Sequence, residues 1–501
     1  MGYGKNSKRN FPNYTDVRTC FARWPTASVN YVNWLTGHWC DVAQVLPRVP
    51  RVTIAMLPDV ALLEIFDFYV HGALWYRLVQ VCRRWRNVVF GSPGRLGLRL
   101  YCTAGTPVTK TLDVWPLLPI VVNADCLGRT LETDNIIAAL KHNDRICKLS
   151  LAFLSLEKVL AAMQQPFPAL TDLDLVLRPG DEIAPIDANS FLGGSAPPHL
   201  QKLRLCRIPF PGLPKLLLSA IHLVQLDLWI IPHSGYFSPE VMATGLSALT
   251  RLETLIIKFE SPRSRPDRRH PPRPTRTLLP VLTKLQFKGV SEYLEDLVAR
   301  IDAPLLDELE ITFFHQLLFD TPHLSQFIGR TPRFKAYNEA RVVFHDWVVS
   351  TVSVSAFDGR LCLIILCISS DWQLSSLAQV CSSSFPQALI STVEHLFIED
   401  GSRMLYRPEE IESSQWLELF HSFTAVKHLY ISPRSMPSIA SALQEFVGES
   451  MTEVLPTLET LFLEKLPSRP VQEAIEKFVS SRQLSNHPIS VSRWEGSGFD
   501  D

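Results

Sequence analysis

From residue 146 onward, apolar positions recur in the order apolar-x-x-apolar-x-apolar. The copies are Ile146-Leu149-Leu151, Leu170-Leu173-Leu175, Leu200-Leu203-Leu205, Leu223-Leu226-Leu228, Leu252-Leu255-Ile257, Leu282-Leu285-Phe287 and Leu306-Leu309-Ile311. After an irregular stretch the pattern returns as Val393-Leu396-Ile398, Val426-Leu429-Ile431 and Leu458-Leu461-Leu463. The last two apolar residues of each copy are two apart, so they share one face of a strand. Pro168, Pro198, Pro280, Pro304 and Pro456 each stand two residues ahead of a copy. A unit of this size cannot bury its own apolar face and must stack on its neighbours. The pattern predicts an α/β solenoid over 146–485, with a curved parallel sheet backed by the connecting helices.

Residues 57–90 follow a different period. Leu62, Leu63, Phe66 and Val70 recur at steps of three and four, which is the stripe of an amphipathic helix. Pro58 and Asp59 suit its first turn. A break at His71-Gly72 opens a second helical stretch with Leu74, Leu78 and Val81. Trp85, Val88 and Val89 continue its apolar face until Gly91-Ser92-Pro93 stops it. Cys82 falls within that apolar stretch and reads as core. Three short helices in about 35 residues cannot enclose a core of their own, so this unit packs on the rest of the chain or on a partner.

The remaining stretches bound these two parts. Residues 1–52 show no sustained period and are expected to be a disordered extension. Residues 96–145 connect to the solenoid and cap it. Ser261–Thr277 holds six arginines and five prolines and reads as a disordered insertion loop. Over 340–368 strands alternate without the leucine pattern, including the apolar run 361–368. Residues 486–501 are expected to fray.

Composition narrows the function classes. The 501 residues carry 49 basic and 50 acidic side chains, so no overall field draws the chain to nucleic acid or an acidic membrane. Leucine accounts for 70 residues, of which two lie in the first 50. The ten cysteines form no CxxC pair, which argues against paired zinc ligands and for a reduced cytoplasmic or nuclear setting. The longest apolar run has eight residues where a membrane span needs about 20. No phosphate-binding glycine loop, nucleophile elbow or HExxH occurs. Neither a catalytic residue, a metal nor a cofactor is expected.

Leu57-Pro58, Leu62-Leu63-Glu64-Ile65-Phe66 and Val81-Cys82-Arg83-Arg84-Trp85-Arg86 with Val88 together resemble an F-box. The ten apolar copies resemble leucine-rich repeats, and the stretch after the F-box is similar to fungal F-box proteins with C-terminal repeats of that kind. The motif departs from the family at Asp59-Val60-Ala61 and in the loop 67–74. The resemblance implies a non-catalytic substrate receptor of a Skp–cullin–F-box ubiquitin ligase. In it, Leu57, Pro58, Leu62, Leu63, Ile65, Phe66, Leu78, Val81, Cys82, Trp85 and Val88 meet the Skp adaptor, and a cullin joins through that adaptor. A scaffold role in a non-degradative adaptor complex is the alternative. No membrane or nucleic-acid partner is implied.

Residues between the buried leucines point away from the core, which places Arg204, Trp229, Lys288, Phe397, Tyr430 and Phe462 on the face expected to bind a protein substrate. Outward aromatic and arginine side chains are the types enriched at binding hot spots.

Overall fold

The computed structural model describes residues 54–69, 75–103, 108, 112, 116–125, 130–152, 156–263, 276–314, 319–334, 338–344, 349–356, 359–366, 373–400, 413–445 and 454–494. The expectation of a disordered 1–52 lies outside them, as does 264–275 of the arginine-rich insertion.

A large sheet, mostly parallel, runs through the chain. Its first nine strands follow in sequence order: β1 (Leu100–Cys102), β2 (Ile120–Asp125), β3 (Ile146–Ala152), β4 (Asp172–Val176), β5 (Lys202–Cys206), β6 (Gln225–Ile231), β7 (Thr254–Phe259), β8 (Lys284–Gly289) and β9 (Glu308–Phe314). Next in the chain come β10 (Glu339–Phe344), β11 (Val349–Ala356) and β12 (Gly359–Leu366), and then β13 (His395–Asp400), β14 (His428–Ile431), β15 (Thr460–Leu463) and β16 (Ser490–Arg493). In space β12 lies beside β9, then β11, then β10, then β13.

The leucines explain why these strands stack in register. Leu173, Leu203, Leu226, Leu255, Leu285 and Leu309 pair side by side across β4–β9. All are at most 1% exposed. Backbone hydrogen bonds repeat with the same period. The amides of Gln201 and Lys202 both donate to the Thr171 carbonyl at 2.8 and 3.0 Å, and those of Val224 and Gln225 do so to Gln201 at 2.8 and 3.0 Å. After the irregular stretch, Lys427 and His428 donate in the same way to Glu394 at 2.9 and 3.0 Å.

Helices fill most connections. They include α4 (Thr130–Leu140), α5 (Leu156–Ala162), α6 (Leu213–Leu217), α7 (Pro239–Leu246), α8 (Ser291–Val298) and α9 (Pro322–Arg330), preceded by three helices of the N-terminal unit. Later connections carry α10 (Gln373–Ser384), α11 (Gln387–Ile390), α12 (Ser413–His421), α13 (Met436–Glu445) and α14 (Arg469–Leu484). Their buried side chains, such as Tyr293, Leu297, Phe327 and Trp416, join the strand leucines in one continuous core. Between α8 and α9 the fold uses a buried acid. Glu295 accepts from the backbone amides of His323 and Leu324 at 2.9 and 2.6 Å, which satisfies the open N–H groups at the start of α9.

The N-terminal helical unit comprises α1 (Asp59–Tyr69), α2 (Trp75–Val81) and α3 (Arg83–Gly91). Leu62, Phe66, Trp75, Leu78, Val79, Val88 and Val89 form its interior, continuous with Leu96, Leu98 and Leu100 at the start of the sheet. The Trp75 indole N–H donates to the Arg99 carbonyl at 2.8 Å, tying α2 to the strand that follows.

Four expectations need correction. The sheet is not wholly parallel, because β10, β11 and β12 form an antiparallel meander inside it. Two residues separate β11 from β12 and four separate β10 from β11, whereas a parallel crossover needs a dozen or more. The sheet also begins before residue 146, since β1 and β2 already pair in parallel. Their alternating buried positions Leu100 and Cys102, then Ile120, Val122 and Ala124, fit the pleat without repeating leucine, and Val121 is buried as well. The tail does not fray from 486: β16 pairs with β15, and the Trp494 amide donates to the Leu463 carbonyl at 3.2 Å. Finally, Thr277, the last residue assigned to the loop, is in a short strand: Thr277–Leu278 pairs in parallel with Ile301–Asp302.

Candidate functional site

Two surfaces collect the residues singled out from the sequence. The first is the outer side of the helical unit. At roughly 100° per residue, Val60, Glu64 and Phe68 occupy the side of α1 opposite Leu62 and Phe66, and Ile65 lies on its flank. Val60 is 65% and Phe68 84% exposed, and Met56, Pro58, Ile65 and Val81 are exposed as well. The face is held in shape from beneath. Phe66 and Trp85 pack at 4.7 Å between ring centroids, Arg84 bonds Asp59 at 2.7 Å, and Arg95 pairs with Glu64.

The eleven positions expected to meet an adaptor therefore divide. Pro58, Ile65, Val81 and Cys82 are exposed, while Leu57, Leu63 and Trp85 are half-buried against the core. Leu62, Phe66, Leu78 and Val88 are buried inside the unit and cannot touch a partner. Short helices place their most regular apolar residues against each other first. Cys82 is also not in a helical core. It has extended backbone (φ −158°, ψ 169°), caps α3 through the Trp85 amide at 3.4 Å, and is exposed.

The second surface is the face of the sheet opposite the leucines, called here the open face. Strand register places one side-chain row across it: Ser150, Asp174, Arg204, Asp227, Ile256, Gln286 and Glu310. Through the meander it continues as Cys362 and, past the backbone of β11, as Arg341, Phe397, Tyr430 and Phe462. Arg204, Phe397, Tyr430 and Phe462, picked out by spacing alone, belong to this row.

Its first part is ionic. Lys148 pairs with Asp172 at 3.2 Å, and Arg204 lies 3.8 Å from Asp174. Burial pushes the Asp174 and Asp227 carboxyls above the ordinary carboxylate range. Arg204 counteracts this at Asp174, and the hydrogen bond from Gln225 counteracts it at Asp227. Trp229 is engaged within the fold, with the Lys258 ammonium 4.2 Å from its ring centroid. It sits where register shifts between β6 and β7, next to Ile230 with φ +53°. Lys288 stands over the Phe314 ring at 5.4 Å. Burial lowers its pKa, and the neighbouring Lys258 charge lowers it further.

The last part is an aromatic ladder. Phe397 stacks on Tyr430 at 4.1 Å and Tyr430 on Phe462 at 4.4 Å, with interplanar angles of 11° and 7°. Arg341 lies 4.5 Å over the free side of Phe397 and bonds Glu399 at 2.8 Å. Trp494 meets Phe397 and Tyr430 edge-on at 5.9 and 5.4 Å. Phe397 is consequently only 8% exposed. His395 and His428 lie beside the ladder at 4.7 Å, and burial followed by the His428 charge lowers the His395 pKa. The ladder was expected to offer three outward rings. The structure stacks them on one another, because equivalent positions on adjacent parallel strands lie about 4.8 Å apart.

Asp174, Arg341 and Trp494 were missed as functional positions. Asp174 carries the same signal as Arg204, lying between two buried leucines. Arg341 was hidden by the reversed strand order of the meander, and Trp494 by its place in the tail. Among the described residues no group of three His, Cys, Asp or Glu side chains could hold a metal ion, and no helix is long and apolar enough to cross a membrane. Burial raises the thiols of Cys102, Cys147 and Cys206 and pushes Cys381 up to about 12. Thiolate formation, which nucleophilic chemistry requires, is disfavoured at these four. No protein-family model matches the chain, and no curated protein matches it significantly.

Proposed function

We propose that this protein is the non-catalytic substrate-recognition subunit of a Skp–cullin–F-box ubiquitin ligase, acting in the cytoplasm or nucleus. In this reading α1–α3 are the F-box that docks on the Skp adaptor, and the strand units are leucine-rich repeats whose open face receives a protein substrate. The observation that carries the reading is the outer side of the helical unit. Val60, Ile65, Phe68 and Val81 are exposed on a unit whose sequence has the F-box motif residues. Exposed apolar side chains gathered on one small unit mark an interaction site.

The test is co-expression with a Skp adaptor and affinity purification. The parent chain should retain the adaptor, and Ile65→Asp with Phe68→Asp should lose it without lowering the thermal midpoint, because both residues are on the surface. Adaptor capture undiminished by the double substitution would sink the assignment of this face. Adaptor binding without cullin association would point instead to a non-degradative scaffold.

A further inference from the structure

One end of the aromatic ladder shows how the fold closes a stack of rings. Arg341 of β10 is in register with Phe397 of β13 and lies 4.5 Å over its ring. Arg341 Nη1 also donates to Glu399 Oε1 at 2.8 Å. Phe397 and Glu399 are two residues apart on one strand, so ring and carboxylate share a face. One guanidinium therefore covers the ring and pairs with the acid two residues on.

The other end of the ladder repeats the ring and the acid without the arginine. Phe462 stacks on Tyr430 at 4.4 Å and meets His428 edge-on at 5.9 Å. Its other face looks toward β16, where the residue in register is Ser492. Among the described residues no ring covers that face, and Trp494 meets only Phe397 and Tyr430. β16 is the last of the described strands, and its four residues are all exposed, so the position is open to solvent. Glu464 follows Phe462 by two residues, as Glu399 follows Phe397. Its neighbours Leu463 and Lys465 both line the cavity between the sheet and α14, which leaves Glu464 on the side of Phe462. Phe462 and Glu464 are both half-buried, and the Glu464 carboxylate has no ion pair or hydrogen bond among the described residues.

The two ends thus differ in one respect: Arg341 fills the first, and a serine leaves the second open. Adjacent strands are about 4.8 Å apart, which is room for one more planar layer. An aromatic ring there would extend the stack and leave Glu464 without a donor. An ammonium would pair with Glu464 but has no flat face to lay on Phe462. A guanidinium does both, being planar with five N–H donors in a fixed fork.

We propose that Phe462 and Glu464 form a binding site for an arginine side chain of a partner protein, its guanidinium stacked on the ring above Ser492 and bonded to the carboxylate. The inference rests on the substrate-receptor reading only in making that partner a substrate. It then narrows the substrate class to proteins that present an exposed arginine.

The probe is a fluorescein-labelled dodecapeptide of glycine and serine carrying two arginines. One twin has citrulline at both positions, which keeps the shape and removes the charge, and another has lysine, which keeps the charge and removes the plane. Fluorescence anisotropy with the full chain should show the arginine peptide binding about tenfold more tightly than the citrulline twin. It should bind about threefold more tightly than the lysine twin. Glu464→Gln should remove most of the preference over citrulline. Ser492→Arg, at an exposed position, fills the slot from within the chain and should remove both preferences. Equal binding of the arginine and lysine peptides would reduce the effect to charge alone and overturn the proposal, as would preferences unchanged in the two variants. The same preparations are passed over Skp adaptor. Adaptor capture without an arginine preference ends this inference alone, and an arginine preference without adaptor capture ends the ligase reading alone.

Discussion

A carboxylate held above its ordinary pKa makes stability depend on pH with a definite sign. Asp227 is raised from its ordinary 3.8, with burial as the main cause. The folded state thus holds the proton more tightly than the unfolded chain. The stability this supplies is fully present below the unfolded pKa and is lost as pH rises through the raised folded value. Asp227→Asn cannot ionise, so its urea stability relative to the parent should improve from about pH 3 to about pH 7. A constant difference across that window would mean that Asp227 is not held at a cost. Glu295 is also raised by burial, yet it accepts the His323 and Leu324 amides, which lower its pKa in part. Glu295→Ala strands both amides and should cost about 1–3 kcal/mol in urea unfolding. Glu295→Gln keeps one acceptor oxygen and should cost less.

Between elements, a close approach can reverse what local propensity favours. Gly245 lies within α7, where alanine is the better helix former by about 1 kcal/mol. A Cβ there would stand 2.7 Å from the Pro214 carbonyl oxygen and 3.0 Å from its Cα, both backbone atoms of α6. Gly245→Ala should therefore destabilise by about 1–3 kcal/mol in chemical denaturation, and a gain would show that α6 and α7 can separate freely. Packing of this kind limits what was legible in the sequence. Leucine spacing located the strand cores of β3–β9 and β13–β15, since a strand face needs only apolar residues two apart. It could not locate β1 and β2, whose inward residues are cysteine, alanine, isoleucine and valine beside the single Leu100, or β16, whose four residues are all exposed. Alternation likewise found strands over 340–368 but not their order, because side-chain alternation is the same in parallel and antiparallel pairs. The open face was legible residue by residue, at Arg204 and Tyr430 for example. Which rings are spent on each other was not, because that depends on register between units. Nor does a helical stripe distinguish Phe66, which packs inward, from Phe68, which is exposed.

At the scale of the whole chain, each strand unit touches mainly the next, so stability is close to a sum of neighbour terms. The meander is the place where this sum has a seam. Among the described strands, β1–β9 and β13–β16 share the sheet through β12, β11 and β10, and two of the four joins along that path are antiparallel. Helices bridge the seam as well, since α10 packs on both α9 and α12. Leu429→Ala removes a fully buried side chain from β14 and should cost about 2–5 kcal/mol locally. If stability is transmitted unit by unit, hydrogen exchange followed by mass spectrometry should show the loss spreading through β13–β16. The amides of β4–β7 should stay close to their parent protection. Leu226→Ala in β6 should give the mirror-image result. Equal loss of protection in both segments from either substitution would show one cooperative body instead. The distinction separates two surfaces, because the cavity lined by Asp174 and Asp227 lies over β2–β6 and the aromatic ladder on β13–β15. With a seam between them, the ladder end can loosen while the cavity keeps its shape.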